Sequence, residues 1–169
     1  MSMTGYSLTV EQGCAIESAM CELEVQAEAE TVLCIDCSGA ILGQAGTLEG
    51  HILDTVSALS AGSFAATHEL SRVLGEGGFE AVHHQGHKKG IYIHSVAEEF
   101  RIVVVFAKPT TIGLVKLYAA KTIKEITPLL MHVINQGLAP MGQESVTFDL
   151  DPNAVPFNET EAHRAATSN

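Results

Sequence analysis

Residues 79–106, FEAVHHQGHKKGIYIHSVAEEFRIVVVF, decide the fold. Three β-rich runs, FEAVHHQ (79–85), GIYIHSV (90–96) and FRIVVVF (100–106), are joined only by GHKK and AEE. Links this short cannot carry a crossover, so the runs form an antiparallel meander. The last run, with Ile102, Val103, Val104, Val105 and Phe106 unbroken, reads as buried on both faces and therefore central in its sheet.

Working back from the meander, LDTVSALSAGSFAATHELSRVLGEGG (53–78) reads as one long helix. Asp54 is its expected N-cap, and Gly75, Gly77 and Gly78 offer its stop. At about 100° per residue, Val56, Leu59, Ser63, Leu70 and Leu74 share one line and make the expected core-facing stripe. The opposite side collects Asp54, Ala58, Ala61, Gly62, Ala65, Glu69 and Arg72, which leaves the middle of the outward face bare of long polar side chains. Before this helix, TVLCIDC and AILGQAG read as two strands around a Ser38-Gly39 hairpin turn. Residues 10–29, rich in Glu and Ala, read as a first helix with Cys14, Ala15, Ser18, Cys21 and Val25 as its less polar positions. Beyond the meander a third helix starts at about Thr110, with a bend or break expected before Pro128. The resulting order is helix, two strands, long helix, three strands, helix: an α+β layer fold on one five-stranded antiparallel sheet. Residues 1–141 are expected to form one domain, and 142–169, with two prolines and no amphipathic period, an acidic flexible tail.

Composition narrows the function. The 169 residues suffice for one ordinary core, and no apolar run approaches the roughly 18 residues of a membrane span. No basic-then-apolar leader opens the chain, so the expected compartment is the cytoplasm. The formal net charge is -11, from nine Lys and Arg against twenty Asp and Glu. Nucleic acid and membrane partners are disfavoured by that excess. The four cysteines, at 14, 21, 34 and 37, include a C-x-x-C pair, but on a strand residues three apart point to opposite faces, so reduced thiols are expected rather than a metal or redox site.

Catalytic chemistry has little to stand on. There is no G-x-x-x-x-G-K-[ST] loop and no G-x-S-x-G elbow, so neither a nucleotide site nor a serine hydrolase is expected. The densest cluster of titratable side chains is His83, His84, His87 and His94. Adjacent His83 and His84 project to opposite faces of a strand and His87 sits in the turn, so three imidazoles do not readily converge on one metal. A metal-dependent enzyme on this hairpin stays open as a minor alternative; no cofactor and no catalytic residue is assigned.

The stretch LDTVSALSAGSFAATHELSRVLGE, followed in order by HQGHKKGIYI, RIVVVF and TTIGLVKLYA, resembles the Roadblock/dynein light chain family, and within it the bacterial MglB branch, over residues 30–127. The resemblance implies a three-layer sandwich with sheet order 2-1-5-4-3, the long helix on one face and the first and last helices on the other. It also implies a homodimer in which the third strands and long helices of two subunits meet. Its further implication is binding to a Ras-like small GTPase of the MglA type, with stimulation of GTP hydrolysis in bacterial cell polarity and motility, by a regulator that has no nucleotide site of its own. On this reading Ala58, Ala61, Gly62 and Ala65, flanked by Glu69 and Arg72, form the partner-binding platform. The alternative is a Roadblock scaffold that binds a GTPase or another adaptor without activating it.

Overall fold

The structure, a computed structural model, describes residues 6–137. Its elements are α1 (Val10–Gln26), β1 (Thr31–Asp36), β2 (Ile41–Gly46), α2 (Gly50–Leu74), β3 (Ala81–Gln85), β4 (Lys89–Val96), β5 (Phe100–Ala107) and α3 (Ile112–Gly137). The expected tail from 142 onward lies outside the described residues. Among the described residues no helix is long and apolar enough to cross a membrane.

The sheet has the order β2-β1-β5-β4-β3, every neighbouring pair antiparallel. β5 lies between β1 and β4, with Val103 opposite both Leu33 and Ile93. Its unbroken Val and Ile run is buried as the sequence implies. Period-two alternation then sorts the side chains into two cores. On one face Val32, Cys34, Tyr92, Val104 and Phe106 meet Ile16, Met20 and Leu23 of α1 and Val115, Ala119, Ile126 and Leu130 of α3. On the other face Leu33, Ile35, Ile93 and Val103 meet Leu53, Ala61 and Phe64 of α2 in a smaller cluster.

The β1–β2 turn is closed by a buried carboxylate. Asp36 accepts hydrogen bonds from the Ser38 N–H (2.8 Å), the Ser38 hydroxyl (2.6 Å) and the Ala40 N–H (2.9 Å). Three donors satisfy an acceptor that would be costly to bury bare. Ser57 of α2 donates to the Gly39 carbonyl (2.5 Å), which ties the turn to the helix above it.

The helices depart from the sequence reading in their faces more than in their places. α1 opens on a capping box, in which the Thr9 hydroxyl accepts from the Gln12 N–H and the Gln12 side chain accepts from the Thr9 N–H. It ends at Gln26 and buries Gln12, Ile16, Ala19, Met20 and Leu23; the expected stripe of Cys14, Ala15, Ser18, Cys21 and Val25 faces outward. Ile16, Met20 and Leu23 are longer than the Cys and Ser alternatives, so the helix turns that edge to the sheet. α2 begins four residues before Asp54, at Gly50, with Glu49 in the N-cap position and no side-chain cap bond. It ends as expected at Gly75, whose φ of 74° is the left-handed conformation glycine adopts without strain. α3 starts at Ile112 and runs unbroken through Pro128. The Thr127 hydroxyl donates to the Ile123 carbonyl (2.6 Å) beside the position where proline supplies no N–H.

The largest correction concerns the direction in which α2 faces. Leu59, Leu70 and Leu74, expected in the core, are 69%, 59% and 68% exposed, and Ile52 and Val73 join them on the outside. Leu53, Ser57, Ser60, Ala61, Phe64 and Ser71 are the buried positions. Serines can fill that face because their hydroxyls find carbonyls: Ser57 bonds Gly39, and Ser71 bonds His68 at 2.7 Å.

Candidate functional site: the α2 surface and its cleft

Two features meet on the α2 side of the sheet. The first is the outward stripe of Ile52, Leu59, Leu70, Val73 and Leu74, contiguous in helical projection and uninterrupted by charge. It lies beside β3, an edge strand bonded on one side only, to β4. The second is a cleft of about 1000 Å³ between the second half of α2, the Gly77–Glu80 loop and the β4–β5 turn.

The cleft is shaped by an unusual turn. Ala97 and Glu98 both adopt left-handed backbone, with φ of 50° and 62°, a conformation that costs on the order of 1 kcal/mol or more per non-glycine residue. Arg101 holds it there. Its guanidinium donates to the Glu98 carbonyl (2.6 Å) and the Phe100 carbonyl (2.8 Å), and sits 4.4 Å from the centre of the Phe64 ring. The Cys37 thiol donates to the Glu99 carbonyl (3.1 Å) and lies 3.6 Å from the Arg101 guanidinium. Burial raises the Cys37 pKa; the nearby Arg101 charge opposes that, while Glu99 and Asp36 reinforce it. Cys34, inside β1, is pushed up to about 12 by burial, which makes it an inert thiol.

The six residues expected to form a docking platform are divided among three environments. Ala65 and Glu69 line the cleft, and Arg72 reaches back to Glu69 through two hydrogen bonds of 3.1 and 2.8 Å. Ala61 lines the same cleft from its floor, only 7% exposed and packed on the sheet, so it is a core residue rather than an outward one. Ala58 is exposed and lies against the β1–β2 turn, while Gly62 is exposed outside the cleft. Sequence reasoning missed Arg101, Phe64, Glu98 and Glu99 because nothing in AEEFR marks a turn pinned by its own arginine. It placed the leucine stripe in the core rather than outside, although Leu53 and Phe64, eleven residues apart and so on one line, signalled a second apolar face.

The histidine hairpin divides as expected. His83 stacks on Phe106 on the α3 side of the sheet (5.9 Å between centroids), whereas His84 hydrogen-bonds the Ser63 hydroxyl on the α2 side (2.9 Å). Among the described residues no three His, Cys, Asp or Glu side chains are placed to share a metal ion.

A family model described as the Roadblock/LC7 domain matches residues 17–106. The chain belongs to the Roadblock/LC7 family. Within that family it resembles MglB. Myxococcus xanthus MglB is 28% identical, superposes with a TM-score of 0.70, and is matched over 75% of this chain and 96% of its own. The gliding protein MglB of Thermus thermophilus gives the same identity, TM-score and coverages. An MglB solved in a tetrameric arrangement is 27% identical, with a TM-score of 0.70 over 76% of this chain and 96% of its own. No curated protein sequence matches the chain.

Proposed function

We propose that this Roadblock protein is a cytoplasmic homodimeric regulator that binds a Ras-like small GTPase of the MglA type and stimulates its GTP hydrolysis in bacterial cell polarity and motility. The observation that carries the reading is the outward stripe of α2. An aliphatic helix face beside an open strand edge is a surface built to be covered, and a second copy presenting the same two features covers both at once. MglB likeness at 28% identity supports the choice of partner class. Two α2 helices side by side would then offer the GTPase a shared surface, with the docking contacts drawn from Ala58, Gly62, Ala65, Glu69 and Arg72. Ala61 contributes only by packing beneath them.

How stimulation works follows from the arginines. Arginine fingers raise hydrolysis by about 10³ to 10⁵ when they enter the nucleotide pocket. Arg101 is occupied by backbone carbonyls and a ring, and Arg72 is held by Glu69 on a regular helix. Among the described residues neither arginine is presented as a finger; the third, Arg164, lies outside them. The stimulation proposed for the described domain accordingly works by preferential binding to an ordered state of the GTPase's own switch segments. The same arginine geometry favours a second reading, a scaffold that binds without activating.

The decisive experiment mixes the protein with small GTPases loaded with GDP or a GTP analogue and records complex formation and hydrolysis together. Binding with faster hydrolysis supports the regulator, binding at an unchanged rate supports the scaffold, and no binding refutes both. Ala65→Arg should abolish binding while the fold persists. Arg72→Ala should weaken binding by about 1 kcal/mol and leave the saturating rate within about tenfold. A thousandfold fall in that rate with binding intact would identify Arg72 as a catalytic arginine.

A further inference from the structure

The outer face of α1 is used by neither core. Val10, Cys14, Cys21 and Val25 recur along it at intervals that, at about 100° per residue, set all four within about 60° of one line. That line points away from the sheet: Val10 is 86% exposed, Val25 is 72% exposed, and Cys14 and Cys21 are exposed free thiols. It runs for about 22 Å along the helix axis.

Carboxylates border this face on both sides. Glu17 and Glu24 lie along one flank and Glu11 and Glu22 along the other, and α1 contains no Lys or Arg. The two flanks meet different neighbours. Glu22 is paired with Lys121 of α3 (2.9 Å), which also reaches Gln26 (3.4 Å), so a helix closes that side and neutralises its charge. The opposite flank overlies β2, where α1 comes so near that a Cβ on Gly43 would meet the Ile16 side chain at 2.6 Å and the Glu17 nitrogen at 3.3 Å. β2 is an edge strand, so the sheet ends there and the flank is open. Among the described residues Glu11, Glu17 and Glu24 have no cationic partner.

We propose that this face of α1 docks a helix of a partner protein, one with an apolar stripe and with Lys or Arg along one side of it. Valines at both ends and small thiols between them make a straight, shallow apolar strip, which admits larger apolar side chains of a helix lying at the usual 8–10 Å or so. The unpaired Glu17 and Glu24 on the open flank select the charge of that helix. A second copy of α1 is a poor occupant, because like faces would oppose carboxylates with no Lys or Arg on either helix to offset them. Nucleic acid and anionic lipid are repelled by the same charges. The contact is that of one helix, which places it among weak, transient interfaces of about micromolar affinity. It lies across the sheet from α2, so it takes a partner additional to the one assigned there and does not rest on that reading.

The test uses the full chain and a fluorescein-labelled synthetic helix with a leucine stripe flanked by lysines on one side; a second peptide has glutamates in their place. Anisotropy at physiological ionic strength should show saturable binding of the lysine peptide and none of the glutamate peptide. Cys21→Glu/Val25→Glu adds negative charge, which would strengthen a merely electrostatic attraction, whereas loss of the stripe should weaken binding about tenfold or more. Cys21→Gln/Val25→Gln leaves the charge unchanged and should weaken it similarly; a thermal melt of each variant checks the fold. Glu17→Gln/Glu24→Gln should weaken binding about threefold or more, and Leu59→Glu/Leu70→Glu should leave it within about twofold, which separates α1 from the α2 stripe. No saturable binding by the parent chain, equal binding of the glutamate peptide, unchanged binding in the folded stripe variants, or loss of binding in the α2 variant overturns the proposal. So does a lower light-scattering mass for the α1 variants than for the parent, because a second copy would then already occupy the face.

Discussion

The guanidinium of Arg101 binds two carbonyls, approaches the Cys37 sulfur and lies over the Phe64 ring, and its contacts are the reason a left-handed Ala97-Glu98 turn can stand at the mouth of the cleft. Removing it leaves two carbonyls without a charged donor and the ring without its cation. Arg101→Met, which keeps most of the stem, should lower stability by about 1 to 3 kcal/mol in urea unfolding. Substituting glycine at Ala97 in the same background should restore part of the loss, because glycine adopts that backbone freely. His83 gives a prediction with a defined sign. Burial, then Lys116 and His84, hold its pKa below the ordinary 6.5, so the unfolded chain takes up the proton more readily. The neutral ring's contribution to stability is complete above about pH 6.5 and is lost as pH falls from there through the folded value. Melting temperatures recorded between pH 7.5 and pH 5 should fall less steeply in His83→Gln than in the parent chain. An identical slope would show that the ring protonates as easily folded as unfolded.

Among the elements, α2 makes the most specific demand. Its outward leucines contribute nothing to the monomer's core, so Leu59→Glu/Leu70→Glu should leave circular dichroism and melting of the subunit nearly unchanged. Each buried leucine at an interface is worth about 1.5 to 3 kcal/mol, and the pair should weaken self-association by roughly a hundredfold or more. Light scattering at micromolar concentration reads the result, a monomer mass for the variant against a dimer mass for the parent. The same helix shows where sequence reading reaches its limit. Strand positions were legible from FEAVHHQ, GIYIHSV and FRIVVVF because short links permit one topology, and the burial of β5 followed from an apolar run with no polar face. Helix faces were less legible. α2 has two apolar lines, and the leucine-rich one was assigned to the core when the sheet takes Leu53, Phe64 and a row of serines. Periodicity detects a stripe and cannot say which of two surfaces covers it. In α1 the same ambiguity arose because Cys and Ser at 14, 18 and 21 compete with Ile16, Met20 and Leu23. Of the six docking residues read from the sequence, Ala61 was misplaced for the same reason, while Arg101 depends on a turn conformation that local sequence does not announce.

At the scale of the molecule, the sheet separates two surfaces of different chemistry. One is aliphatic with an acidic-rimmed cleft, and the other holds a smaller, mainly apolar cavity beside the histidine that stacks on Phe106. The division keeps the α2 stripe on the opposite face from that cavity. It also has a consequence for the choice of pairing partner. Interfaces that discriminate between related chains do so with opposed charges or an obligatory polar match, which makes the wrong pairing costly. The stripe of Ile52, Leu59, Leu70, Val73 and Leu74 has no such feature. Any Roadblock chain with an aliphatic helix of similar outline should be accepted in place of an identical copy. Co-expressed with a second Roadblock protein from the same cell under a different tag, the chain should yield mixed pairs in native mass spectrometry at close to statistical proportions. Strict self-pairing would instead locate the discrimination in the β3 edge. In a cell that makes several such chains, the composition of the pairs would then be set by relative abundance as much as by sequence.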